Sequence, residues 1–270
     1  MIKSDEVTII IPHLGANQES EYSLDECLKS LQETTESKVL VVTNGTEKTC
    51  QHMGDIDMVQ QGQCKAVNTA AATVSTEYIF VTNDDMVYAP GWWERLTNDF
   101  EGTEFICPNL VEPRPGAPPF LTYFCGGAGG DFEQGKWLLF AKEHSNEDDS
   151  EVGFNLPFLI KKELWDTIGG YDINYDPWGS NGDSDLQAKI HLAGVYPVRN
   201  RRCIVYHFSQ TSGTFNPENH SFWEKNYAYF QEKWGFERQP TDKVWYSQEI
   251  INYDKLIYKP DWMGKYGQPK

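Results

Sequence analysis

Short apolar runs alternate with helix signals along the first part of this chain. The runs at residues 7–11, 38–42 and 78–82 have the length of buried strands and are rich in β-branched and aromatic residues. Between them lie segments in which small or apolar residues recur at helical spacing. Alternation of this kind predicts a mostly parallel, twisted sheet flanked by helices, which is an α/β fold.

Capping and breaking residues place several helix boundaries. The pattern S-x-x-E at Ser23 and Glu26 predicts the start of the first helix. Gly169 and Gly170 are expected to end a helix that follows a strand beginning at residue 158. Further helices are predicted at residues 65–74, from Pro90 onward, at 183–193 and, with many aromatic residues, at 221–234.

The middle of the chain differs in composition from both ends. Residues 108–119 are rich in proline, residues 126–130 in glycine and residues 143–151 in acidic side chains. Such segments are usually solvated connectors, although loops of this kind also form lids over substrates. We expect the acidic run to be a connector, and the glycine-rich segment to be either a connector or a lid.

Composition narrows the class of protein. With 270 residues, of which 39% are hydrophobic, the chain can bury a sizeable core. The six cysteines show no C-x-x-C spacing, so buried, reduced thiols are expected rather than a zinc site or a disulfide framework. No signal peptide is evident, and no apolar stretch approaches the roughly 18 residues of a membrane span. A cytoplasmic location without a transmembrane segment is therefore expected.

The charge balance constrains the ligands. A net charge of -17 argues against a nucleic-acid partner, because binding to a phosphate backbone depends on Lys and Arg. The one dense basic group contains Arg199, Arg201 and Arg202, which could hold a diphosphate or protect an exposed strand edge. A nucleoside diphosphate substrate would therefore need a bound cation to offset its charge and that of the acidic residues.

Adjacent carboxylates follow the third predicted strand. Asn83, Asp84 and Asp85 stand where an α/β sheet presents its ligands, at the carboxyl end of a parallel strand. Mg²⁺ and Mn²⁺ favour oxygen ligands and commonly bind one or two carboxylates together with substrate phosphates. The same tripeptide is also a common turn, so the residues alone leave both interpretations open.

Two further groups could complete a catalytic site. Asp183 and Asp185 begin a predicted helix, after a segment rich in Trp and Gly. Asp183 could accept a proton from an acceptor hydroxyl as a general base, or it could cap the helix. His207 ends another apolar run, where it could be a metal ligand or an ordinary core histidine.

In this order, the residues resemble the family 2 glycosyltransferases and their relatives with the GT-A fold, which binds nucleotide sugars. The resemblance extends over most of the chain, roughly from Val7 to Trp234. The segments that carry it are residues 7–12, 41–46, 65–71, 77–85, 159–172 and 183–186, followed by His207. Residues 229–235 are similar to a frequent C-terminal helix of this group.

The resemblance implies a role for each matched residue. The residues expected to bind the donor are Pro12, His13, Asn17, Thr43, Asn44, Lys65, Asn68, Asn83, Asp84 and Asp85. Those expected to shape the acceptor site are Trp178, Gly179 and Asp185. Asp85 and His207 are expected to bind Mn²⁺ or Mg²⁺, and Asp183 is expected to be the catalytic base.

Three positions depart from the family pattern. Asn83 stands where the first Asp of the D-x-D site is frequent, and Thr43 where an Asp often pairs with uracil. Gly182 stands where a Glu usually precedes the base. These departures affect the hold on the ribose, the selectivity for the base and one acceptor contact, whereas the metal ligand and the catalytic base are retained.

The resemblance implies a metal-dependent, inverting transfer of a sugar from a nucleoside diphosphate sugar, with UDP favoured, to a hydroxyl of a glycan or glycoconjugate. The catalytic domain is expected at residues 1–235, with a nucleotide-sugar half at 1–107 and an acceptor half at 108–235. The aromatic tail at 236–270 could cover the acceptor cleft, contact a membrane-borne acceptor or form a dimer face.

Three other functions are alternatives. A sugar nucleotidyltransferase would carry a Gly-rich loop with a cation directly after the first strand, whereas Pro12 is followed by a segment with one Gly and no cation. A non-catalytic sugar- or nucleotide-binding module could keep the same fold. An aromatic-rich interaction protein would explain the tail but not the ordered carboxylates.

Overall fold

The computed structural model describes residues 2–15, 17–44, 56–58, 62–98, 100, 103–115, 120–145, 150–209, 211 and 216–235. The strands in these ranges are β1 Val7–His13, β2 Lys38–Asn44, β3 Ile56–Met58, β4 Tyr78–Val81, β5 Met86–Val87, β6 Phe105–Glu112, β7 Leu121–Thr122, β8 Glu151–Val152, β9 Phe158–Lys161 and β10 Val198–His207. The helices are α1 Gln18–Thr34, α2 Gln63–Thr73, α3 Trp92–Asn98, α4 Gln134–His144, α5 Lys162–Ile168, α6 Gly182–Leu192 and α7 His220–Trp234.

The described strands form one twisted sheet. Its order is β3-β2-β1-β4-β9-β6-β10-β5, with β7 beside β6 and β8 beside β10. Strands β3, β2, β1 and β4 are parallel to one another, and β6 is parallel to β10. Because β9 is antiparallel to both β4 and β6, these two strands run in the same direction. The predicted mostly parallel α/β sheet is confirmed, and the carboxyl ends of β1, β2, β4, β6 and β10 meet at one edge.

The pleat of the strands divides the core into two layers. Ile10 and Ile79 lie on the face covered by α2, α5, α6 and α7, whereas Ile9 and Phe80 lie on the face covered by α1 and α3. The buried residues Ala66 and Ala70 allow α2 to approach the sheet closely. The tight packing of α2 brings its N-terminus to the edge where the strands end.

The first helix begins earlier than its sequence pattern predicts. Asn17 is the N-cap of α1, and its side-chain Oδ1 accepts a hydrogen bond from the backbone N–H of Ser20 at 2.9 Å. The expected cap, Ser23, lies inside the helix and donates its hydroxyl to the Ser20 carbonyl at 3.0 Å. An Asn side chain can cap a helix as well as a Ser side chain does, and Asn17 has the role that the S-x-x-E pattern predicted for Ser23.

The middle of the chain is more regular than expected. Pro108 lies inside β6, opposite Asn200 of β10, where the register of the two strands shifts and a missing N–H is tolerated. The boundary expected between residues 107 and 108 therefore falls within a strand. Helix α4 was not predicted; it buries Trp137 and Phe140 against the sheet. The tail at 236–270 and residues 146–149 of the acidic run lie outside the described residues.

Arg199 has a structural role that differs from both sequence interpretations. It is buried in β10, with Nη1 2.8 Å from Glu151 Oε1 and Nε 2.8 Å from Asn155 Oδ1. Because β10 lies inside the sheet and this guanidinium is already paired, Arg199 neither guards an edge nor is free to bind a diphosphate.

Two further expectations concern the cysteines and the membrane. All cysteines in the described ranges are buried and unbridged, and Cys50 lies outside those ranges. Of the helices that the structure describes, none combines the length and the apolar character needed to cross a bilayer.

Candidate active site

The carboxyl edge of the sheet collects polar side chains from five strands. His13 ends β1, Asn44 ends β2 and Asp85 follows β4 after a short turn. Glu112 ends β6, and His207 ends β10. Parallel strands present these residues together although they are far apart in sequence.

Asp85, which is buried, and His207, which is half-buried, form a pair. Asp85 Oδ2 lies 3.2 Å from His207 Nε2, and His207 Nδ1 lies 2.8 Å from Glu112 Oε1. Thr211 Oγ1 donates to the same Asp85 oxygen at 3.4 Å. Burial opposes protonation of the imidazole, but the charges and hydrogen bonds of Asp85 and Glu112 outweigh it and raise the pKa of His207 to about 10. Glu112 therefore fixes the ring so that Nε2 faces Asp85.

The residues present fit a divalent cation shared with a phosphate ligand. Asp85 Oδ1 is buried and has no hydrogen-bond partner among the described residues. Asp85 and His207 would supply one oxygen and one nitrogen ligand, and Glu112 is the carboxylate that commonly orients a ligating imidazole. Within the described ranges no group of three or more His, Cys, Asp or Glu side chains could hold a metal ion. Substrate phosphates and water would therefore complete the coordination.

Asp84 forms a hydrogen bond with His13, which was predicted only as a donor-binding residue. His13 Nδ1 lies 2.6 Å from Asp84 Oδ2, and both side chains are buried. Burial lowers the pKa of His13, but the hydrogen bond and charge of Asp84 outweigh this and raise it. Burial also raises the pKa of Asp84. One Asp84 oxygen thus binds His13, and the role of Asp84 in donor binding stays a prediction.

The start of α2 is joined to the segment that precedes α6. Asp176 accepts hydrogen bonds from the backbone N–H groups of Cys64 at 3.0 Å and Lys65 at 2.9 Å. Gly62 has φ +86°, and a Cβ there would overlap the Asp176 side chain. A glycine at position 62 is therefore needed for this close approach, and Asp176 satisfies N–H groups that every helix start leaves free.

Gln63 links the carboxylate turn to the second acidic site. Its Nε2 donates to Asn83 Oδ1 at 3.4 Å. A Cβ at Gly179 would lie 3.4 Å from Gln63 Oε1, and one at Gly182 would lie 3.0 Å from Cys64 Sγ. The α6 N-terminus therefore packs directly on the start of α2, beside the residues that follow β4.

Asp183 has the environment of a general base. It is the second residue of α6, half-buried, and its Oδ1 accepts a hydrogen bond from the Tyr171 hydroxyl at 2.8 Å. Burial raises the pKa of Asp183 to about 6, against the lowering effect of this hydrogen bond. A carboxylate with such a pKa is ionised at neutral pH and is more basic than an ordinary Asp. Tyr171 was not predicted as a site residue, and no sequence pattern indicated it.

Asp185 lies in the core, so its predicted role in shaping the acceptor site, which stays a prediction, would be exerted through its neighbours. It is fully buried; Lys233 Nζ lies 2.7 Å from its Oδ1 and Lys189 Nζ 3.4 Å from its Oδ2. Trp234 Nε1 also donates to Oδ1 at 2.8 Å. A separation of two residues along a helix corresponds to a rotation of about 200°, so Asp185 points away from Asp183 and towards α7.

Three residues predicted to bind the donor form hydrogen bonds within the protein. The Asn68 amide bonds the backbone of Tyr171 in both directions, at 2.8 and 2.9 Å. Asn17, besides capping α1, donates to the Thr211 carbonyl at 3.0 Å, and Thr43 donates to a carbonyl of β3 at 3.3 Å. Each side chain is thus held within the fold, and the roles of these residues in donor binding stay predictions.

The other predicted residues lie at or near the same edge. Asn44 is buried at the end of β2, and its Oδ1 lacks a partner among the described residues. Pro12 precedes His13 in β1, and the Lys65 side chain is exposed in the first turn of α2. Trp178 is half-buried, with its ring centroid 6.5 Å from that of Phe222. Their roles in donor and acceptor binding stay predictions.

A cavity of about 520 Å³ lies beside the Asp85–His207 pair. Glu112 and Thr211, which contact this pair, belong to its wall, together with Arg114 and the half-exposed ring of Phe124. The backbone of residues 127–129, from the segment considered as a lid, also lines it. A volume of this size suits a sugar-sized ligand.

Comparison with known proteins agrees with the fold. Residues 8–120 match the family model described as Glycosyl transferase family 2. No curated protein matches the chain in sequence. Among solved structures, GalNAc-T7 with UDP, GalNAc and Mn²⁺ is similar with a TM-score of 0.59 and 15% identity, over 85% of this chain and 48% of that chain.

A second protein, TarS from S. aureus, resembles the chain to a similar degree. The structure of TarS 1-349 has a TM-score of 0.54 and 12% identity, over 77% of this chain and 61% of that chain. Its complex with UDP-GlcNAc has a TM-score of 0.52 and 14% identity, over 76% and 58%. This chain thus spans only about half to three-fifths of the structures it resembles, and at these identities the likeness shows the fold.

Proposed function

Because residues 8–120 match glycosyl transferase family 2 and the described elements have the GT-A fold, we propose that this chain is a metal-dependent, inverting glycosyltransferase. Its donor is a nucleoside diphosphate sugar, with UDP preferred, and its acceptor is a hydroxyl of a glycan or glycoconjugate. One observation carries the proposal. The pair Asp85 and His207, which would bind the metal, is connected through the start of α2 to Asp183, a carboxylate with a raised pKa. The solved structures that contain UDP or UDP-GlcNAc support the choice of donor.

The donor would be held along the carboxyl edge of the sheet. Asn44, Lys65 and Asn83 would contact the nucleotide, and Asp85 and His207, at the ends of β4 and β10, would hold the cation beside the diphosphate. A divalent cation bound there supplies Lewis-acid stabilisation of the departing nucleoside diphosphate. A positive charge at this position also offsets the phosphates in a chain with a net charge of -17.

The chemistry assigned to the chain itself is proton abstraction. Asp183 accepts the proton of the acceptor hydroxyl while the oxygen of that hydroxyl forms a bond to the anomeric carbon. The bond from that carbon to the diphosphate oxygen breaks, and the electron pair leaves with the nucleoside diphosphate. Attack from the face opposite the leaving group inverts the anomeric configuration, and a single carboxylate base is sufficient for such a displacement.

The proposal is tested by incubating the purified chain with Mn²⁺ and a panel of UDP-, GDP- and dTDP-sugars. Release of free nucleoside diphosphate is measured, and donor binding is followed by calorimetry with and without EDTA. Metal-dependent binding of one donor with slow hydrolysis is the expected result. Absence of any metal-dependent nucleotide binding favours a non-catalytic module, and pyrophosphate release from a sugar phosphate and UTP favours a nucleotidyltransferase.

Glu112 provides a sharper test of the cation site. Glu112→Gln keeps the side-chain size but removes the charge that orients His207. Loss of such an orienting carboxylate is expected to weaken metal affinity by about 10–100-fold. The measurement is a Mn²⁺ titration of donor binding, with Glu163→Gln as the control because that side chain is exposed on α5. Equal Mn²⁺ affinity in both variants would exclude the Asp85–His207 site.

A further inference from the structure

We propose that Tyr171 is the positioning residue for the base: its hydroxyl orients the Asp183 carboxylate and stabilises its ionised form. This inference rests on the proposed function for its catalytic meaning, although the contact itself belongs to the described structure. The Tyr171 hydroxyl donates to Asp183 Oδ1 at 2.8 Å. Hydrogen bonds to a charged acceptor are stronger than those between neutral groups.

The Tyr171 ring has little freedom. Only 3% of the residue is exposed, and its ring meets the edge of Trp165 with centroids 5.6 Å apart. A buried ring that is packed on one side by an indole cannot rotate its hydroxyl away without opening the core. The hydroxyl therefore stays directed at Asp183.

The Tyr171 backbone is clamped as firmly as its ring. The Asn68 side chain bonds both its N–H and its carbonyl, at 2.9 and 2.8 Å. The preceding carbonyl, of Gly170, accepts a hydrogen bond from the buried Lys189 Nζ at 2.9 Å. Gly170 has φ +56°, and a Cβ there would overlap Asn68 Oδ1. The glycine thus permits the close approach through which α2 holds Tyr171.

The electrostatic surroundings give this hydroxyl its importance. Among the described residues, the groups that interact electrostatically with Asp183 are Tyr171 and the Cys64 thiol, which α2 contributes. Burial raises the pKa of the Cys64 thiol and of the Tyr171 hydroxyl well above their ordinary values, so both are uncharged at neutral pH. With no cation in this set, the Tyr171 hydroxyl is the side-chain group that offsets the desolvation of the carboxylate, beside the N–H groups of the first turn of α6.

The test compares Tyr171→Phe with Tyr175→Phe. Both remove one hydroxyl and keep a ring, but Tyr175 donates to Asp185 at 3.3 Å and does not contact Asp183. In Tyr171→Phe the acid limb of the kcat profile is expected to move to higher pH by about 1 unit, with kcat lowered and donor KM unchanged. In Tyr175→Phe the acid limb is expected to stay where it is in the unsubstituted chain.

A second readout does not require turnover. The pKa of Asp183 is followed by ¹³C NMR of labelled Asp carboxyl groups, with Asp183→Asn to assign the signal. A higher Asp183 pKa in Tyr171→Phe than in Tyr175→Phe supports the inference, and equal values overturn it. Equal shifts of the acid limb in both variants also overturn it, because the effect is then structural. Failure of the unsubstituted chain to turn over any donor, with the NMR difference present, rejects the proposed function and leaves the contact established.

Discussion

Asp183→Asn is expected to lower the rate of sugar transfer by about 10²–10⁴-fold, the usual contribution of a general base. The amide has nearly the shape of the carboxylate but cannot accept the acceptor proton. The measurement is the initial rate of nucleoside diphosphate release with donor and acceptor present. Donor affinity, measured by calorimetry, is expected to stay unchanged because the Asp85–His207 pair lies at strand ends, whereas Asp183 lies at the start of α6. Transfer at the unsubstituted rate would exclude Asp183 as the base.

The pH dependence of this site follows from the raised pKa. Folding raises the pKa of Asp183 from 3.8 to about 6, so the folded carboxyl group holds its proton more tightly than the unfolded one. Its contribution to stability is therefore lost as pH rises from about 4 to about 6, and transfer activity is expected to fall as pH drops below about 6. At pH 7.5 the Asn variant is thus expected to melt at the same temperature as the unsubstituted chain or higher.

Asp185→Asn is expected to lower the free energy of unfolding by about 3 kcal/mol, the lower end of the range for breaking a buried ion pair. Asp185 is fully buried, and its loss leaves Lys189 without a carboxylate. Burial already lowers the pKa of Lys189 despite the neighbouring charge of Asp185. Lys233 retains Asp172 at 2.7 Å, which is why the lower end of the range applies. Urea unfolding measures the difference.

The chain contains a matched control for this second substitution. Lys162 and Asp166 also stand four residues apart on a helix, with Nζ 2.6 Å from Oδ2, but the Asp166 side chain is 58% exposed. Asp166→Asn is expected to cost less than about 1 kcal/mol, because water already solvates the Asp166 carboxylate. Similar losses in the two variants would contradict the view that burial, rather than pairing, decides the cost.

Local sequence information sufficed for the fold and for part of the site. Strand-length apolar runs, breakers and helical spacing predicted the parallel α/β sheet, because each depends on residues a few positions apart. The acidic turn at Asp84 and Asp85, the helix beginning near Asp183 and the histidine that ends β10 were recognisable for the same reason. Each of these positions is determined by where one strand or helix begins or ends.

The partners of these residues were decided only by the tertiary structure. Glu112 and His207 are 95 residues apart, and they meet because β6 and β10 pair in parallel up to their carboxyl ends, where Tyr206 lies opposite Val111. Tyr171 reaches Asp183 because Asn68, 103 residues before it, holds its backbone against α2. Such contacts depend on strand order and on helix packing, which no local pattern encodes.

Asp183 and Asp185 show the division most clearly. The sequence determined that two carboxylates would begin one helix, and it could assign both to a cleft with equal reason. The orientation of α6 against α7 decided that the half-buried Asp183 meets Tyr171 and that Asp185 meets Lys233 in the core. The physical reason is the helical rotation of about 200° between them, which has consequences only once the neighbouring helices are in place.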